Sequence, residues 1–242
     1  SEQDFRNVLA VYYGMIRYID DEMARIYAAL EAKGLLENTW IILGSDHGDY
    51  TGEKGLFNKS ESLYKCLLHV PLVIVAPKES GEIEPHRNSS LVSSVDLFPT
   101  ILGIAGLIAP TNQGKNIVSW VRSGSEQPLH EVVFAQVGDY HGFIETSWPS
   151  GMPASGRHKN LTHAIRNKTH AYINDPDNGD EAYNLAQDPH ELVNLANQYK
   201  DPLPPEFDVL RTQLRTFQNE CAVLQNELAV IPGDRGFVEG WE

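Results

Sequence analysis

The sequence predicts an α/β fold, with helices layered on a mostly parallel sheet over residues 1–125 and a smaller α+β unit over 126–242. Three observations carry that expectation. Apolar residues recur at helical spacing near the start of the chain. Two short apolar runs flank a polar loop. After residue 130 the chain turns to short strands punctuated by Gly, Pro and Asn.

Val8, Tyr12, Met15, Ile16, Ile19, Met23, Ile26 and Leu30 form one stripe, so residues 5–33 read as a long amphipathic helix ended by Gly34. Asp20 and Asp21 sit beside that stripe, either in contact with the loop that follows or on a solvated acidic face. Trp40 to Leu43, closed by Gly44, and Val70 to Ala76 then read as strands buried on both faces. The loop between them places Ser45-Asp46-His47-Gly48 beyond the carboxyl end of the first strand, where ligands bind in open α/β sheets. An adjacent carboxylate and imidazole suit a divalent metal. The same triplet also fits an ordinary turn in which Asp46 bonds the backbone.

Further along, Ser93 and Asp96 supply caps to a helix that tolerates Pro99 in its first turn and closes at Gly106. Residues 107–130 form a connection with a short helix around Val118 to Val121. Glu131 to Gln136 reads as a strand. Residues 138–160 form a long loop carrying Asp139, His141 and His158, of which His141 is a candidate for binding. Thr162–Arg166 and His170–Asn174 read as paired strands joined by Asn167-Lys168-Thr169, and Asp175 to Gly179 as a turn. A final helix runs from about Glu206 to Leu228. His170 and His190 lack spaced partners and are poor metal ligands.

Composition excludes several roles. The formal net charge of −14 argues against nonspecific binding to nucleic acid or to an anionic membrane surface. No apolar run approaches the ~20 residues that span a bilayer. Cys66 and Cys221 belong to no CxxC pair and read as buried free thiols, which leaves the compartment open, periplasmic or cytoplasmic.

Several stretches together resemble the sulfatase family of the alkaline phosphatase superfamily, which also contains phosphonate and phosphate ester hydrolases. They are Ser45-Asp46-His47-Gly48, Gly52-Glu53-Lys54-Gly55-Leu56 with Lys59, Val70-Pro71-Leu72, and Ser93-x-x-Asp96-Leu-x-Pro99-Thr100. The run from Glu181 through Tyr183, Asp188-Pro189 and Glu191 to Leu195 resembles the signature that closes most sulfatases. The resemblance implies the C-terminal half of an alkaline-phosphatase-like α/β sandwich plus a smaller α+β C-terminal subdomain. It implies that Asp46 and His47 ligate an active-site metal, calcium first, with magnesium or manganese as alternatives. Lys59 would contact the sulfate of a sulfate ester substrate.

His69, where relatives often carry Arg, is a candidate for binding the anion or protonating the leaving group, against a plain structural role. The family's nucleophile, a formylglycine made from Cys or Ser in C/S-x-P-x-R, has no counterpart: Cys66 is followed by Leu-Leu-His and Cys221 by Ala-Val-Leu. The resemblance therefore implies a fragment inactive alone, partnered by an N-terminal half of the same protein. Open sheet edges would favour association of copies into a homo-oligomer. A phosphate or phosphonate ester hydrolase and a non-catalytic binding module are the alternatives.

Overall fold

The computed structural model describes residues 2–77, 87–138, 160–199 and 202–229, with side chains to Cys221. His86, Asp139, His141 and His158 lie outside the described residues. Helix α1 spans Glu2–Ala32 and includes the expected stripe, but it buries none of its residues. Asp21 pairs with Arg17 at 2.8 Å on the solvated face, the role expected of a helical acid.

Strands β1 (Ile41–Gly44) and β2 (Leu72–Val75) flank the polar loop as predicted, yet they pair antiparallel, Ile41 opposite Val75 and Gly44 opposite Leu72. This corrects the expected parallel sheet. The segment from Ser45 to Pro71 leaves and re-enters at one end of the pair, carrying a 3-10 turn (Glu53–Gly55) and a one-turn helix α2 (Lys65–Leu68) but no crossover helix to reverse the direction. The strands are also not buried on both faces: Leu43, Val73 and Val75 are exposed. Among the described residues β1 and β2 pair only with each other, so no flanking strand covers their edges.

Helices α3 (Leu97–Ile104) and α4 (Ile117–Arg122) follow. Asp96 is a cap, as expected, and is fully buried. Its carboxylate accepts the N–H groups of Ser93 (2.8 Å) and Lys115 (2.7 Å) and faces His130 Nε2 at 2.9 Å, so every lone-pair direction has a partner.

The second sheet runs β3 (Val133–Val137), β4 (Thr162–Arg166), β5 (His170–Asn174), β6 (Glu181–Asn184), all antiparallel neighbours. Both faces are covered. Helix α5 (Pro205–Ala229) lays Phe207, Leu210 and Leu214 on Ile165, Tyr172 and Ala182, with Phe217 stacked on Phe134 at 4.2 Å. The opposite face receives Leu63, Tyr64 and Leu68 against Ala164, Ala171, Ile173 and Tyr183. The loop that follows Asp46 and His47 is thus seated on the C-terminal sheet. Both cysteines are half-buried, so full burial was too strong an expectation.

Candidate active site

β1 ends at Gly44 and delivers Ser45, Asp46 and His47 to the surface. Asp46 is 83% exposed at its side chain. Its Oδ1 accepts the His47 backbone N–H at 3.0 Å, so the turn reading and the ligand reading describe the same residue. That backbone contact holds the Asp46 carboxyl below the usual carboxylate range, leaving it ionised and its Oδ2 directed to the His47 ring, 3.5 Å from Nε2.

The His47 tautomer follows from its two partners. Nδ1 lies 2.8 Å from the Gly48 carbonyl oxygen, which can only accept, so the ring proton sits on Nδ1. Nε2 is left with its lone pair, and Lys59 Nζ, which can only donate, stands 2.8 Å away. Two independent contacts select one tautomer.

The turn has a backing. Gly48 N–H donates to the Leu67 carbonyl at 2.8 Å, tying the turn to α2. A Cβ at position 48 would lie 2.0 Å from the Cys66 carbonyl oxygen, so only glycine allows the approach. The loop carrying Lys59 is fixed by Tyr50, buried, whose hydroxyl meets Ser60 Oγ at 2.7 Å and Ser62 Oγ at 2.5 Å. Gly52, at φ +98°, takes the ring of Phe5 where a Cβ would stand, which joins α1 to the loop. A groove of about 380 Å³ between α1 and this loop, lined by Val8, Val11, Tyr12, Met15 and Phe57, lies beside the cluster without including it.

Of the four residues expected to carry chemistry, three converge: Asp46, His47 and Lys59. His69 caps the C-terminus of α2 with an exposed ring, and its backbone N–H donates to the Lys65 carbonyl. Among the described contacts none joins that ring to the other three. His190 Nδ1 lies 3.4 Å from Glu53, and His170 Nδ1 lies 2.9 Å from Thr169 Oγ1.

Sequence reasoning missed a buried ionic group behind the loop. Glu191, 1% exposed, pairs with Arg166 on β4, and its Oε2 accepts the Lys65 N–H at 2.7 Å. Arg166 also donates to the Leu63 carbonyl, and Lys54 donates to the Glu191 carbonyl while standing 3.9 Å from the centre of the Tyr64 ring. One signal was available: strand alternation puts Arg166 on the same face as Ala164, an inward charge that requires a partner.

A divalent cation fits part of this geometry. An ionised carboxylate and a lone-pair imidazole nitrogen 3.5 Å apart can both touch one ion with bonds of ~2.0–2.6 Å, the ion taking the place of the Lys59 ammonium that here stands 2.8 Å from that lone pair. The Nδ1 proton is held by a backbone carbonyl, as in metal-ligating histidines generally. Among the described residues no group of three or more His, Cys, Asp or Glu completes the set.

The family model for sulfatases matches residues 1–107. Bovine (Bos taurus) arylsulfatase K is 31% identical over 210 residues, covering 83% of this chain and 35% of that protein. The chain belongs to the sulfatase family. The sulfatase-family chain spans about a third of the length of the curated relatives it matches. Its fold is similar to the phosphonate monoester hydrolase of Agrobacterium radiobacter, with a TM-score of 0.66 and 24% identity over 94% of this chain and 43% of the other. A protein solved in complex with its substrate D-glucosamine-2-N,6-O-disulfate gives a TM-score of 0.62 and 24% identity over 83% of this chain and 38% of that one. The mixed α/β fold is therefore shared with sulfatases and phosphonate monoester hydrolases over part of their length.

Proposed function

We propose that this chain is the C-terminal portion of a metal-dependent sulfuric ester hydrolase and supplies one side of its site. Asp46 and His47 are two ligands of a divalent cation, calcium first, and Lys59 binds the sulfate of the ester. The observation that carries this reading is the convergence of these three side chains beyond β1, with Nε2 of His47 2.8 Å from Lys59 and 3.5 Å from Asp46.

A bound cation supplies positive charge that stabilises the negative oxygens of the reacting ester. The chain's own residues do the rest of what can be derived. Asp46 stays ionised because the His47 N–H stabilises its charge. His47 has a fixed Nε2 lone pair, which the Lys59 ammonium occupies until an ion displaces it. Lys59 brings a compact ammonium with three donors, suited to sulfate oxygens as a point charge. His69, at the C-terminus of α2, is the candidate for a further anion contact or a proton donor.

The nucleophile would come from residues outside this chain. Neither cysteine has the C/S-x-P-x-R setting, and burial pushes the Cys66 thiol up, away from the thiolate a nucleophile needs. In this reading residues 1–125 belong to the alkaline-phosphatase-like sandwich and 126–242 to the C-terminal subdomain.

Calorimetric titration of Ca2+ and Mn2+ into the chain tests the ligands. Asp46→Ala and His47→Ala should each abolish binding, whereas Lys59→Ala should keep the metal. Undiminished affinity in both ligand variants would overturn the assignment, and absence of binding by the wild type would favour a non-catalytic module. A phosphonate or phosphate ester substrate is the second reading, supported by the fold shared with the phosphonate monoester hydrolase. Relative turnover of aryl sulfate and aryl phosphonate by the full-length protein separates the two.

A further inference from the structure

Glu191 and His47 lie far apart in sequence, yet a line of hydrogen bonds joins them. Glu191 Oε2 accepts the Lys65 N–H, the first of α2. Helix α2 presents the Leu67 carbonyl to Gly48 N–H, and the Gly48 carbonyl accepts the His47 Nδ1 proton. Between the buried Glu191 carboxylate at one end and the His47 ring at the other, every link is backbone.

Three features make this line more than a packing contact. Helix α2 is a single turn, which is marginal without outside support, so an acceptor for its first N–H matters. Glu191 and Arg166 also hold the loop on both sides of Lys59, Lys54 before it on the Glu191 backbone carbonyl, and after it Leu63 on Arg166 and Lys65 on the Glu191 carboxylate. Glu191 adopts φ +55°, a left-handed conformation unfavourable for a non-glycine residue, and it persists because these contacts over-determine it.

We propose that Glu191 is a positioning residue for the metal-binding turn: its carboxylate, neutralised by Arg166, fixes α2, and α2 fixes the His47 ring with its proton on Nδ1 and Nε2 facing Asp46. The consequence for the metal rests on His47 being a ligand, as proposed above. The positioning itself does not.

The test reads the His47 ring directly, by 15N NMR of the histidine-labelled chain at a pH where the ring is neutral, the signal being assigned by its loss in His47→Gln. Wild type should show one tautomer, with Nε2 unprotonated. Glu191→Gln removes the charge that holds Arg166, and Lys65→Pro removes the N–H donor together with the lysine side chain, with Lys65→Ala, which removes the side chain alone and should leave the ring unmoved, as its control. Proline is tolerated at the first helical position, and Tyr64 before it is already extended, at φ −75° and ψ 153°. Glu191→Gln and Lys65→Pro should both shift the ring toward a mixture of tautomers. Leu214→Ala, a core truncation on the buried face of α5, should lower the melting temperature and leave the His47 signal unchanged.

Mn2+ affinity should fall about tenfold in Glu191→Gln, the scale seen when an outer partner of a metal ligand is lost. A His47 signal unmoved in both Glu191→Gln and Lys65→Pro would overturn the proposal, and if the first does not fold the second decides. Should the wild type bind no Mn2+, the ligand assignment falls while the tautomer readout still decides the positioning role.

Discussion

Replacing Arg166 with Met tests the claim that the ionic group behind the site is truly dry. Arg166 is 8% exposed and Glu191 1%, so the substitution leaves a carboxylate without its cation in a place water does not reach. Breaking one side of a buried pair costs about 3–5 kcal/mol, and the Leu63 carbonyl loses its donor for ~1 kcal/mol more. The Lys65 N–H still meets Glu191 and offsets part of this, so a loss of about 4 kcal/mol is expected. Against a total stability of ~5–15 kcal/mol that is large, and it corresponds to roughly 8–16 °C in melting temperature. Arg166→Met combined with Glu191→Leu removes both charges and should recover about half of the loss, because apolar replacements of a buried pair are often neutral. Urea denaturation followed by circular dichroism, checked by calorimetry, measures both. A loss under ~1 kcal/mol for Arg166→Met, or a double variant less stable than the single one, would refute the reasoning.

Burial holds the His163 imidazole below its ordinary value of 6.5, so the unfolded chain binds that proton more readily. Its contribution to stability is whole above pH 6.5 and is lost as pH falls below it, and His163→Gln should flatten the melting temperature between about pH 7 and pH 5. Asp96→Asn should cost ~3 kcal/mol by thermal denaturation, because an amide NH2 would face one of the donors that now meet a carboxylate oxygen. Alkylation at pH 8 followed by mass spectrometry should find Cys66 slower in the folded chain than in urea, since burial raises its thiol above the ordinary value.

How far the sequence could be read depended on whether a feature is local. Helix α1 was legible from its stripe, the β4–β5 hairpin from its turn residues, and Asp96 from the Ser-x-x-Asp pattern that closes a capping box. Asp46, His47 and Lys59 were legible because family motifs quote them, and the structure brings them together. The direction of β2 was not. Four apolar residues specify a strand but carry no record of which neighbour they face, and pairing is settled by the path from Ser45 to Pro71. His130 beside Asp96 and Arg166 beside Glu191 were hidden for the same reason: a buried charge is made tolerable by a partner brought in through the tertiary fold.

The site and what supports it differ in the one property that determines how each responds to substitution. Asp46 and Lys59 are exposed, make contacts worth little to folding, and can be changed at small cost in stability. Glu191, Arg166 and Tyr50 are buried, so changing them costs folding energy first. Chemistry at an exposed surface requires side chains free to meet a ligand, whereas geometry at that surface requires backbone that cannot move. The chain meets both demands by fastening the turn from behind, through Gly48 to α2 and through α2 to a charge held under the C-terminal sheet. The signature from Glu181 to Leu195 therefore acts on the Asp-His-Gly turn without approaching it. Variants of the two groups should fall into separate classes, one losing a ligand with its stability intact, the metal in Asp46→Ala and the anion in Lys59→Ala, the other losing stability and ring orientation together.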